Sequence, residues 1–86
     1  SDNEQYNAEL QQVEFFAQCQ GALITCIISV GNLFYLNDKN TELQETSETT
    51  ALGLFESARF DIEELAEQMI NDQDFTEHGN VYLKAR

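Results

Sequence analysis

Hydrophobic and polar side chains alternate over residues 13–19, which is the period of a β-strand. After Gln20 and Gly21, residues 22–29 form a second run that is rich in β-branched side chains. Gly21 adopts positive φ freely, so this two-residue link predicts a β-hairpin. Pairing Cys19 with Ala22 places an entirely apolar set on one face of that hairpin: Val13, Phe15, Ala17, Cys19, Ala22, Ile24, Cys26 and Ile28.

The opposite face of the hairpin carries Phe16, Leu23 and Ile27, so it is too apolar for a face that is simply exposed to solvent. Two elements could cover this face. One is residues 33–36, in a short helix that begins at Ser29, and the other is a second copy of the chain in a homodimer. We expect the first and therefore a monomer, because a net charge of −12 on each copy opposes their association.

Between residues 51 and 71, apolar side chains recur at spacings of three, four and seven, as on one face of an amphipathic helix. We predict a single long helix over this range, with Ser47, Thr49 or Thr50 as its N-terminal cap. A shorter alternation over residues 80–85 predicts a closing strand.

Together these elements predict an α+β fold of two layers, in which an antiparallel hairpin and a C-terminal strand pack on one long helix in the order β-β-α-β. The 86 residues suit a single domain, 1–86. Residues 1–12 are expected to be an N-terminal segment, and the polar residues 37–50 to be a mobile loop.

The net charge of the chain indicates which classes of partner it can bind. With 16 Asp and Glu against 4 Lys and Arg, the chain repels phosphate backbones and anionic membrane surfaces. We expect no direct nucleic-acid binding and no membrane binding. Residues 1–9 are polar and acidic, unlike a signal peptide, and no segment has the ~18 consecutive apolar residues of a membrane span, which favours a cytoplasmic protein.

The residues of the predicted hairpin, helix and closing strand, in their order and spacing, resemble a family of small bacterial proteins, the domain of unknown function numbered fourteen eighty-eight. The resemblance extends from Tyr6 to Leu83 and implies a two-layer α+β domain with no established activity. The matching positions are Val13, Phe15, Ala17, Gly21, Ile24, Cys26, Ile28, Ser29, Leu33, Leu52 or Leu54, Phe55, Arg59, Ile62, Glu63, Ala66, Ile70, Val81 and Leu83.

The residues that could carry chemistry do not form a recognisable catalytic or metal site. Cys19 and Cys26 are roughly 13 Å apart along the hairpin at ~3.3 Å per residue, whereas a disulfide needs Cα atoms within ~7 Å. We predict buried, free thiols. The stretch from Asp72 to His78 lacks the glycine of a calcium loop. No nucleophile, base and orienting group can be assembled, so we predict no enzyme activity, no cofactor and no metal.

Arg59 is a basic residue within the acidic helical region, at the border of the apolar stripe. Glu56 and Glu63 precede and follow it at three and four positions, so ion pairs with both are expected. A contact between Arg59 and a partner is the alternative interpretation.

Phe60 is predicted to lie on the solvent side of the same helix, among carboxylates that include Glu64 and Glu67. An exposed aromatic side chain in that setting suits a basic and apolar partner surface. The candidate partner contacts are therefore Arg59, Phe60, Glu64 and Glu67. We predict a non-catalytic protein interaction module with an unidentified protein partner; the alternative is an acidic mimic of nucleic acid that inhibits a DNA-binding protein.

Overall fold

The computed structural model describes residues 4–37 and 47–84, which form a four-stranded sheet and three helices. The strands are β1 (Gln5–Asn7), β2 (Gln12–Cys19), β3 (Ala22–Ser29) and β4 (Val81–Leu83). The helices are α1 (Val30–Leu36), α2 (Glu48–Ser57) and α3 (Arg59–Asn71). The sheet order is β1-β2-β3-β4, with β3 and β4 parallel and the other neighbours antiparallel. The predicted α+β class is confirmed.

The hairpin of β2 and β3 has the predicted register, in which Cys19 pairs with Ala22 and Val13 pairs with Ile28. Gln20 and Gly21 both have positive φ, 52° and 82°. A turn with this backbone twists in the same sense as the strands, so it closes the hairpin without a bulge.

The helices cover one face of the sheet, which we call the front face, and the hydrophobic core lies between the two layers. Val13, Cys26 and Ile28 are fully buried there, beside Phe55 of α2. The rings of Phe15 and Phe55 meet edge to face, with centroids 5.1 Å apart. Burying a large apolar side chain contributes about 1.5–3 kcal/mol, so this contact between layers is a main source of stability.

The prediction of one helix over residues 51–71 is wrong in one respect, because the helix is divided at Ala58. Ala58 has φ −109° and ψ 18°, and no side chain caps the start of α3. Alanine has the highest helix propensity, so local sequence does not account for the break. The division lets α2 contact β1, β2 and α1 while α3 contacts β2 and β4. The apolar residues of both helices thus reach one core.

The predicted N-terminal segment, residues 1–12, contains β1 and the first residue of β2. β1 is only three residues long, too short to show a period in the sequence. It forms because its backbone pairs with β2, with Tyr6 opposite Val13. Tyr6 also packs partly buried against the core.

The prediction of a loop at residues 37–50 is wrong at its C-terminal end, because α2 begins at Glu48. Ser47 is the cap: its hydroxyl accepts a hydrogen bond from the backbone N–H of Thr50 at 3.2 Å. Capping explains why a polar stretch starts a helix here. Residues 38–46 of the predicted loop lie outside the described residues.

The short helix α1 begins after Ser29 as predicted, and the Ser29 hydroxyl accepts from the backbone N–H of Asn32. It does not cover Phe16 and Leu23, so that part of the prediction is wrong. Its Leu33 is buried in the front core, and α1 packs against α2. The helix follows β3 directly and turns to the side where Leu33 can be buried.

The uncovered side of the sheet is an open face, formed by Phe16, Leu23, Thr25, Ile27 and Tyr82. Phe16 remains 47% exposed, Leu23 65% and Tyr82 38%. No helix among the residues described is long and apolar enough to cross a membrane.

The prediction of two buried thiols holds for one cysteine only. Both cysteines are free, but Cys26 is fully buried while Cys19 is half-buried. Burial raises the pKa of the Cys26 thiol to about 11. Cys19 lies next to the turn, at the end of the hairpin, where the helix layer covers the sheet less completely.

Candidate functional site

Arg59 is the first residue of α3 and pairs with two nearby helical carboxylates, Glu56 and Glu63, and with the distant Glu4. Its Nη2 atom lies 2.6 Å from a carboxylate oxygen of Glu4, and its Nε donates to Glu56 over 3.0 Å. A Glu63 oxygen lies 3.7 Å from Nη1. The guanidinium also lies over the ring of Phe55, 5.1 Å from its centroid, in a cation–π contact. The predicted pairs with Glu56 and Glu63 are present, while Glu4 and Phe55 were not predicted as partners.

The electrostatics of this cluster are those of a structural ion pair. The Arg59 and Glu4 side chains are only 14% and 13% exposed. The hydrogen bond from Arg59 lowers the pKa of Glu56, and the same bond raises the pKa of the guanidinium above its already high ordinary value. Because Glu4, Glu56 and Glu63 share one guanidinium, the cluster as a whole remains negative.

Beside this cluster, a groove of about 530 Å³ lies between β2 and α3. We call it the edge groove. Side chains from both faces of β2 line it, so it lies along the edge of that strand. Phe15, Ala17, Ala66 and Ile70 supply apolar surface, and Glu67 supplies a carboxylate. The other lining residues are Phe16, Gln18, Cys19, Arg59, Glu63 and Asn71.

The solvent side of α3 carries the other predicted contacts. Phe60 is 85% exposed, the highest value among the large apolar side chains described. Glu64 and Glu67 are also exposed, four and seven positions further along the helix, so they lie on nearby turns of one face. Phe60, Glu64 and Glu67 are called the outer patch. Since Glu67 also lines the edge groove, the two surfaces adjoin.

Comparison with known families decides the relationship of this chain to other proteins. A family model described as "Protein of unknown function (DUF1488)" matches residues 1–83. The chain belongs to the DUF1488 family. The match agrees with the resemblance seen in the hairpin and helix residues.

A solved structure supports the same assignment. The crystal structure of a DUF1488 protein of unknown function from Shewanella loihica PV-4 is similar to this chain, with 32% sequence identity and a TM-score of 0.82. The similarity covers 96% of this chain and 87% of that one. No curated protein matches the chain significantly.

In this DUF1488 chain, the structure brings Phe60, Glu64 and Glu67 together and sets Arg59 apart from them. Arg59 points its charge into the cluster with Glu4 rather than into solvent. Sequence reasoning missed Glu4, because a single acidic residue in a polar N-terminal segment gives no periodic signal. It also missed the edge groove, which depends on how far β1 extends along β2.

The remaining candidate for chemistry is the segment after α3. Asp72, Asp74, Glu77 and His78 are all exposed, and His78 lies 3.7 Å from Glu77. Residues 4–37 and 47–84 contain no group of three or more His, Cys, Asp or Glu side chains placed to hold a metal ion.

Proposed function

We propose that this DUF1488 protein is a non-catalytic interaction module that binds a basic protein partner through the outer patch. The observation that carries the proposal is the 85% exposure of Phe60 among acidic side chains on a regular helix. Leaving a phenylalanine in water is unfavourable, and its burial in a partner would contribute about 1.5–3 kcal/mol. Glu64 and Glu67 would favour a partner with basic residues around an apolar pocket.

The net charge of −12 supports the choice of a basic partner, because long-range attraction raises the rate of encounter with positively charged surfaces. The alternative is an acidic mimic of nucleic acid, in which carboxylates take the positions of phosphates. Phe60 favours the first function, since an exposed aromatic side chain has no counterpart in a phosphate backbone. The cytoplasmic location expected from the sequence stays a prediction.

The proposal is tested by affinity capture from the native host with the full chain, followed by mass spectrometry. Wild type is compared with Phe60→Ala and Glu64→Gln, which change the outer patch on an exposed helix surface. We expect specific proteins that wild type retains and both variants lose. Asp74→Asn is the matched control, because it removes one charge beyond the end of α3 and should leave capture unchanged.

Two outcomes would count against the proposal. Equal capture by wild type and Phe60→Ala would remove the outer patch from any binding role. Capture of DNA-binding proteins that competing DNA displaces, with no effect of Phe60→Ala, would instead establish the mimic.

A further inference from the structure

The edge of β2 is only partly covered by β1. In the described residues, β1 pairs with Gln12–Glu14, and no described strand lies beside residues 15–19 of β2. Within the described ranges, residues 15–19 of β2 therefore pair only with β3 and present their other edge. Edge strands offer backbone groups to a further strand.

The hairpin register shows which backbone groups face that edge. A two-residue turn makes Cys19 and Ala22 a hydrogen-bonded pair, and hydrogen-bonded and non-hydrogen-bonded pairs then alternate along the hairpin. The pairs Gln18 with Leu23 and Phe16 with Thr25 are therefore non-hydrogen-bonded. The N–H and C=O groups of Phe16 and Gln18 point away from β3, toward the edge groove.

The groove beside this edge has room for side chains. A strand added next to β2 would lie about 4.8 Å from it and would direct alternate side chains to the two faces of the sheet. On the helix side, those side chains would enter the edge groove against Ala17, Ala66 and Ile70. On the other side, they would extend the open face next to Phe16.

Charge selects the kind of strand. The α3 side of the groove carries two carboxylates, Glu63 and Glu67, and one cation, Arg59, whose charge Glu4 and Glu56 also share, so this side is negative. We propose that the edge groove binds an extended segment of a basic protein partner, in which apolar and basic residues alternate, as an added strand of the sheet. This inference rests on the proposed function, since Glu67 joins the groove to the outer patch and one partner would contact both.

A second copy of this chain fits the groove less well than a basic segment does. Each copy carries a net charge of −12, and pairing β2 with β2 would bring two acidic molecules together. Backbone hydrogen bonds would be equal in the two cases, so charge complementarity decides between them.

The test is an NMR titration of the full chain with a synthetic peptide that alternates valine and lysine. We expect amide shifts concentrated at Phe16 and Gln18, with slower hydrogen exchange of both amides in the complex. A lysine–proline peptide of equal charge, which cannot form a strand, should leave those amides unprotected. A valine–glutamate peptide should not bind.

Variants separate the backbone contribution from the charge contribution. Gln18→Pro removes the outward N–H and should weaken binding about 10-fold or more, whereas Gln18→Ala keeps the N–H and should bind like wild type. Glu67→Gln should weaken binding about 2- to 5-fold. Asp74→Asn, which removes one charge beyond the end of α3 and away from the groove, should have no effect on this peptide.

The outcomes distinguish this inference from the proposed function. Equal binding of the valine–lysine and lysine–proline peptides, or no protection of Phe16 and Gln18 in wild type, would overturn the edge groove as a strand site. Wild-type protection is measured without a variant, so poor folding of Gln18→Pro would not obscure the result. Capture of partners that Phe60→Ala abolishes and Gln18→Pro leaves unchanged would keep the outer patch and reject the groove.

Discussion

The two faces of the sheet are made from the same strands but differ in their exposure to solvent. On the front face, Val13, Cys26 and Ile28 are completely buried under the helices. On the open face, Phe16 and Leu23 are 47% and 65% exposed although both are large and apolar. The difference does not come from the hydrophobicity of individual residues, since Phe15 and Phe16 are neighbours of the same type.

What differs is the covering layer. All three helices pack on the front face of the sheet. There α2 and α3 contact β2, and α1 contacts α2. Among the described residues, no helix or strand covers the open face. Apolar surface that a fold leaves uncovered in this way is a candidate contact surface.

The sharpest test of this difference replaces each of the two adjacent phenylalanines in turn. Phe15→Ala should lower the free energy of unfolding by about 3–5 kcal/mol, because it leaves a cavity against Phe55. Phe16→Ala should cost no more than about 1 kcal/mol, because the side chain is already half in solvent. Urea denaturation of both variants measures this. Equal losses would show that the open face is covered in solution.

The next effect concerns Arg59, which ties Glu4, just before β1, to the helix layer. Arg59→Ala should lower the free energy of unfolding by about 1–2 kcal/mol through loss of the ion pair and of the contact with Phe55. Arg59→Lys keeps the charge but not the planar group, so its free energy of unfolding should lie between those of wild type and Arg59→Ala. A denaturation midpoint unchanged in Arg59→Ala would show that the cluster does not stabilise the fold.

The same cluster predicts the direction of the pH dependence. Its hydrogen bond lowers the pKa of Glu56 from the ordinary value of 4.5. The stabilisation is therefore fully present above pH 4.5 and is lost as the pH falls through the lower pKa of the folded state. Thermal denaturation between neutral and acid pH should show less acid destabilisation in Glu56→Gln than in wild type. A steeper acid loss in that variant would reverse the assigned sign.

The cysteines test where the cover of the front face ends, with no change in stability. Cys26 is buried and its thiol pKa is raised to about 11, so it should react with a thiol reagent far more slowly than Cys19. Mass spectrometry after timed labelling identifies the modified residue. Denaturant should make both react quickly, and rapid native labelling of Cys26 would contradict its burial under the helix layer.

The smallest expected effect is no change at all in molecular mass. We expect a monomer at low and at high ionic strength, because the charge of −12 opposes contact between two open faces. Light scattering of wild type and of Phe16→Glu measures this. A dimer that Phe16→Glu converts to monomer would make the open face a subunit interface.

Much of the fold could be predicted from short-range patterns. The hairpin register followed from the pairing of Cys19 with Ala22 and from the apolar face that this pairing creates. Ser47 was one of three predicted caps, and the apolar stripe through Phe55 and Ile62 was also visible. Of the candidate site, the exposure of Phe60 and the pairs of Arg59 with Glu56 and Glu63 followed from helical phase.

The parts that could not be predicted depend on partners distant in sequence. β1 has too few residues to show a period and forms by pairing with β2. The break at Ala58 opposes local helix propensity and depends on where α2 and α3 pack. Glu4 meets Arg59 only because β1 lies beside β2, across 55 positions of sequence.

The sequence by itself determined the elements whose stability is local: a two-residue turn, a strand register set by alternation, a capped amphipathic helix and a strongly acidic surface. Only the tertiary structure decided which face of the sheet is covered, how far β1 protects the edge of β2, and which carboxylates share Arg59. Periodicity shows that a side chain shares a face with others, but not which element is opposite. Cover requires a second layer at a definite position, and that position is set by the packing of all the elements together.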